Sequence, residues 1–107
     1  MPKLHIAIQT ADFDVSAELA ALRAGDHGVG AVCCFVGTVR DRNAGDGAGT
    51  VAAMELEHYP GMTEKSIEAM AQAAFERFDI LGARVIHRVG LLAPPDQIVL
   101  VAVTSAH

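Results

Sequence analysis

Arg40, Arg42, His87, Arg88 and His107 hold about half of the arginines and histidines of a chain whose formal charge is −5. Each sits at the end of an apolar, β-branched run. A guanidinium is a planar fork matched to phosphate or carboxylate, and an imidazole exchanges a proton near neutral pH, so such a cluster suits an anionic small molecule. A solvated fringe on a β-sheet has the same composition, and spacing alone leaves both readings open. The five histidines, His5, His27, His58, His87 and His107, show no helical i, i+4 pair and no Cys-x-x-Cys accompanies them, so no metal site is expected. Cys33 and Cys34 are neighbours on an apparent strand, which points their side chains to opposite faces and rules out a mutual disulfide. As small apolar residues on an apolar strand they are expected in the core. The loop DRNAGDGAGT at 41–50 has neither the Gly-Lys-Ser/Thr ending nor the following helix of a phosphate-binding loop, and is expected to be a mobile surface loop.

The elements that must position these groups follow from periodicity. Leu4, Ile6 and Ile8 alternate with Lys3, His5 and Gln9 as a half-buried strand does. Asp14 can cap a helix that places Val15, Leu19 and Leu22 on one face and stops near Ala24-Gly25. GAVCCFVGTV at 30–39 forms a strand leading into Arg40. In VAAMELEHY, at 51–59, Met54, Leu56 and His58 share one face and Glu55 and Glu57 the other; Pro60-Gly61 ends that strand. With Thr63 as N-cap, Ile67, Met70, Ala71, Ala74, Phe75 and Phe78 form the apolar stripe of a second helix. Gly82 breaks it, ARVIHRVG at 83–90 is a strand, Pro94-Pro95-Asp96 a turn, and IVLVAV at 98–103 a central strand buried on both faces. The order β, α, β, β, α, β, β, without repeat or linker, predicts an α+β fold with helices packed on a mostly antiparallel sheet.

Composition sets the limits. A chain of 107 residues supports one domain. Hydrophobic residues are 51% and aromatics 5%, so the core must be aliphatic. With Lys3 and Lys65 its only lysines, the chain has no broad basic face for nucleic acid. No apolar run approaches the roughly 18 residues of a membrane span and MPKLHIAIQT is not a signal peptide, so neither membrane insertion nor export is expected and the location implied is cytoplasmic.

Four segments carry a family resemblance: FVGTVRDRNAGD at 35–46, LEHYPGMTEKSIEAM at 56–70, VIHRVG at 85–90 and VTSAH at 103–107. In that order they resemble the catalytic (large) subunit of molybdopterin synthase. The resemblance implies an α/β hammerhead fold, a homodimer of large subunits, and one small ubiquitin-like sulfur-carrier subunit at each end of the resulting heterotetramer. It implies sulfur transfer from the carrier's C-terminal thiocarboxylate to cyclic pyranopterin monophosphate, forming molybdopterin for molybdenum cofactor biosynthesis, with no resident cofactor. Matched by position, Thr38, Val39 and Arg40 fall on the substrate-binding segment, Arg40 being the anion contact. His107 falls on the active-site histidine and Phe35 on a pocket-lining aromatic. Arg40 and His107 are thus the implied catalytic pair. His87, Arg88, His58 and Tyr59 match motif positions with an expected bracing role. Members of the family continue past VTSAH with an arginine and a lysine-bearing helix and tail. Residues 1–107 are therefore expected to be a single domain lacking that C-terminal segment, binding pterin weakly and turning over little. The other implied reading is a shortened, non-catalytic paralogue that acts as a dimeric carrier-binding protein.

Overall fold

A computed structural model describes residues 2–41, 54–57 and 60–107. The elements are β1 (Lys3–Gln9), α1 (Val15–Arg23), β2 (Ala31–Thr38), β3 (Met54–Leu56), α2 (Met62–Arg77), β4 (Gly82–Arg88), β5 (Gly90–Leu92) and β6 (Gln97–Ser105). They build a four-stranded sheet in the order β1-β4-β6-β2 and a two-stranded ribbon of β3 and β5. Among the described residues only the β1–β4 pair is parallel; β4–β6, β2–β6 and β3–β5 are antiparallel, the mostly antiparallel α+β arrangement expected.

Local chemistry explains the elements. Asp14 caps α1, its carboxylate accepting the Ala17 N–H at 3.0 Å. Val15, Leu19 and Leu22 then turn toward the sheet and join Phe13, Ile86, Leu100 and Ala102 in the core. The second helix starts two residues earlier than Thr63 capping would place it: Gly61, at φ 83°, is the N-cap, and its N–H is met by the Glu64 carboxylate at 3.2 Å. Gly90, at φ 92°, divides ARVIHRVG. A residue with a Cβ is strained at that angle, so the chain leaves the main sheet there and continues as β5 beside β3.

Strand alternation gives the sheet two faces. Ile86, Leu100, Ala102 and Thr104 point toward α1 and are buried. Ala83, Val85, His87, Val101 and Val103 point the other way, toward α2, and line a cavity of about 310 Å³ between helix and sheet. The β6 run is thus central but fully buried on one face only, since Val101 retains 38% exposure. The expectation for the cysteines fails for a related reason. Both Cys33 and Cys34 are exposed, on β2 at the edge of the sheet. An apolar sequence tells which residues prefer burial; it does not supply the element that covers them.

Candidate functional site

The segment leading to Arg40 is built on the β2–β6 ladder. The register shifts between Gly37 and Thr38, where Gly37 lies opposite Val99 and Thr38 opposite Gln97, leaving Asp96 and Gln97 beside the end of β2. Val39 turns inward and is 4% exposed, and its N–H donates to the Asp96 carbonyl at 2.9 Å. Asp96 is itself fixed by a tight turn: its N–H reaches the Ala93 carbonyl at 2.7 Å and its carboxylate accepts the Ala93 N–H at 3.0 Å. Thr38 and Arg40 flank the buried Val39 and are exposed. The sequence FVGTVR therefore ends in a fixed backbone that offers a hydroxyl and a guanidinium to solvent.

Arg88 lies at the same end of the sheet. Its Nε donates to the Thr10 carbonyl and its Nη1 to the Gln97 carbonyl, each at 3.1 Å, with the Asp12 carboxylate 3.7 Å from Nη1. The Gln97 side-chain amide donates to Asp12 Oδ1 and to the Phe13 carbonyl, both at 2.8 Å. The Gln97 hydrogen bond first and then the Phe13 N–H hold the Asp12 carboxyl below its ordinary range; burial opposes them by less than either, and the Arg88 charge adds the weakest lowering effect. Arg88 is spent on backbone carbonyls, the bracing role expected of it. His87 points into the cavity under α2, and its Nδ1 lies 2.7 Å from the Arg88 carbonyl; a carbonyl can only accept, so Nδ1 carries the proton.

His107 is elsewhere. It is exposed beyond the far end of β6, where the Gly30 N–H donates to the Ser105 carbonyl at 2.9 Å and the Ser105 hydroxyl to the His107 carbonyl at 3.1 Å. A Cβ at residue 30 would collide with the Ala106 carbonyl, so glycine is what lets the chain after β6 pass there. Nine residues of β6 separate the two ends, roughly 26 Å at about 3.3 Å per residue. Within one chain Arg40 and His107 do not converge. Phe35 lies between them in mid-strand, 62% exposed, on the α2 side opposite Val101. Arg42, His58, Tyr59 and the loop after Asp41 lie outside the described residues. No group of three or more metal-ligating side chains occurs among the described residues, and no helix there is long and apolar enough to cross a membrane.

The signal that sequence reading missed is the Asp12–Gln97 pair, which places two residues 85 positions apart within hydrogen-bond distance. Neither belongs to a recognisable motif.

A family model described as "MoaE protein" matches residues 8–107. The chain belongs to the MoaE family. It is 61% identical over 102 residues to the molybdopterin synthase catalytic subunit of Ralstonia nicotianae, an alignment covering 95% of this chain and 56% of that protein. Against the same subunit of Vibrio cholerae it is 50% identical over 103 residues, covering 96% of this chain and 66% of the other. The solved MoaE protein of Burkholderia ambifaria superposes with a TM-score of 0.85 at 54% identity, covering all of this chain and 66% of that one. The chain thus spans between about half and two-thirds of the length of these relatives.

Proposed function

We propose that the chain supplies the large-subunit part of a molybdopterin synthase: a sulfurtransferase acting on cyclic pyranopterin monophosphate, with a small sulfur-carrier subunit as donor. The observation that supports this best is the rigid presentation of Thr38, Val39 and Arg40, the segment that the family resemblance marks for substrate, on a strand end with an exposed guanidinium. The Arg40 fork holds the phosphate of the pterin, a charge-assisted contact. His107 exchanges a proton during opening of the pterin ring. The transferred sulfur leaves the carrier's terminal thiocarboxylate, so no cysteine of this chain is needed as a sulfur donor. Two of the relatives are named as catalytic subunits, a name that presupposes a further subunit. Residues 1–107 form one domain of this assembly, working in the cytoplasm.

The separation of Arg40 from His107 is answered by a homodimer. Among the described residues no strand pairs with the outer edge of β2, which carries no charge and no proline and exposes Val32 and Phe35, so it has none of the features that protect a strand edge. Antiparallel pairing of β2 with β2 of a second copy about a twofold axis sets the Thr38 end of one strand against the Ala31 end of the other. Arg40 then stands about two strand spacings, roughly 10 Å, from the partner's chain end that carries His107. Each site draws on both subunits, and the small carriers bind at the outer ends.

A fluorescence titration of cyclic pyranopterin monophosphate tests the reading. Arg40→Ala is expected to weaken binding by about tenfold or more, the size of one lost charge-assisted contact. Unchanged binding contradicts the reading.

A further inference from the structure

We infer that Arg88, locked by Asp12 and Gln97, is a positioning residue that fixes the backbone from which Thr38, Val39 and Arg40 meet an anion. The inference rests on the reading of Arg40 as the phosphate contact and adds the part of the molecule that aims it.

The need for such a device lies in the ladder. Regular β2–β6 pairing carries the strand only as far as the shift between Gly37 and Thr38, so alignment beyond the shift is not inherited from the sheet. What holds the next residues is the bond from the Val39 N–H to the Asp96 carbonyl; Asp96 is fixed on one side by its turn to Ala93 and is joined on the other through its peptide bond to Gln97. Gln97 is gripped twice. Its carbonyl accepts from Arg88 Nη1 at 3.1 Å, and its side-chain amide is held by Asp12 Oδ1 and the Phe13 carbonyl at 2.8 Å each. Arg88 Nε meanwhile grips Thr10, in the turn after β1. One guanidinium therefore ties together the ends of β1, β4 and β6 at the place where β2 departs from regular pairing.

The type of side chain matters. Two separate N–H groups on a rigid plane reach two carbonyls from different elements, which a single ammonium on a flexible stem cannot reproduce with fixed geometry. Val39 is buried, so a displacement of the 96–97 backbone cannot be absorbed locally and passes to Arg40. Misplacement of a binding group by about 1 Å is enough to cost a large factor in a site of this kind.

The experiment combines hydrogen exchange with binding. In Arg88→Lys, exchange of the Val39 amide is expected to rise by about tenfold or more while that of Leu100, in mid-β6, stays fixed. Affinity for cyclic pyranopterin monophosphate is expected to fall several-fold. In an Arg40→Ala background the same change should cost little further affinity, because there is no guanidinium left to aim; a purely structural role would weaken both backgrounds alike. Should Arg88→Lys fold poorly, Asp12→Ala, at a side chain 64% exposed, removes one grip on Gln97 and should give the same pattern at smaller size. A Val39 amide unmoved in both variants, or equal losses in both backgrounds, overturns the inference and leaves the role of Arg40 standing. If Arg40→Ala alone leaves binding unchanged, the functional reading falls and the inference falls with it.

Discussion

The two faces of the main sheet are made from the same strands and end up in different states. Toward α1 the sheet is closed: Leu22, Ile86, Leu100, Ala102 and Thr104 are all at 2% exposure or less, and Arg84 Nε meets the Glu18 carboxylate at 2.6 Å. Toward α2 it is open. That helix buries none of its residues, Met70 and Phe78 are 67% and 57% exposed, and a cavity remains between helix and sheet. At the β2 edge Val32, Cys33, Cys34 and Phe35 all remain exposed. A face becomes a core when a well-capped helix brings matching side chains within contact; an apolar face without such a partner stays available for another chain or segment. In this molecule the closed face gives rigidity, and the β2 edge is where assembly is proposed.

Adjacent residues of β6 separate the faces most sharply. Leu100→Ala, at a side chain with no exposure, should cost about 2–5 kcal/mol, whereas Val101→Ala, on the open face, should cost less than about 1.5 kcal/mol; urea unfolding of the two variants measures both. Enlargement gives the opposite test. Ala102→Leu overpacks the closed face and should destabilise by about 1–3 kcal/mol, while Ala74→Leu extends into the cavity and should be neutral or stabilising in the same experiment. Comparable losses for the two members of either pair would erase the distinction between the faces.

Smaller effects probe the margins. Both thiols should react with a maleimide in the folded monomer, and pairing of β2 edges should slow that reaction as protein concentration rises. The Cys34 thiol is pushed up by its partial burial and then by neighbouring Cys33, so its rate should keep climbing as pH passes the ordinary thiol value of 9.0. The smallest change expected is at Asp12. Its carboxyl titrates lower in the folded state than the ordinary 3.8, so its stabilising contribution is fully present above that value and is lost as pH falls through the folded-state value. The stability difference between the protein and Asp12→Asn should be constant from pH 6 to 8, on the order of one weak surface contact, and should shrink only below pH 4.

Much of this was legible in the sequence. Period-two and period-3.6 patterns place β1, α1 and α2 because each records which side of an element meets the core, a continuous apolar run places β6, and the Asp14 cap is local chemistry. The α+β class follows from their order. What the pattern could not convey is coverage. The apolar stripe Ile67, Met70, Ala74, Phe78 has the spacing of a buried face, yet Met70 and Phe78 remain exposed because the sheet beneath them is met only in part. The same gap misplaced the cysteines in the core. For the site, family motifs marked Thr38, Val39, Arg40 and His107, but not that one strand's length stands between Arg40 and His107. The Asp12–Arg88–Gln97 knot depends on contacts across 85 residues and leaves no local signature.

The proposal that two copies build each site between them is tested most directly by a distance. One population of chains carries a spin label at position 40 and another at position 107, both in a background with Cys33 and Cys34 replaced by serine, and the two are mixed. Pairing through β2 predicts a label-to-label distance within about 20 Å between chains, from the roughly 10 Å backbone separation plus the reach of two labels. No coupling between the two populations, or only distances longer than the roughly 26 Å that separates the ends within one chain, would contradict it.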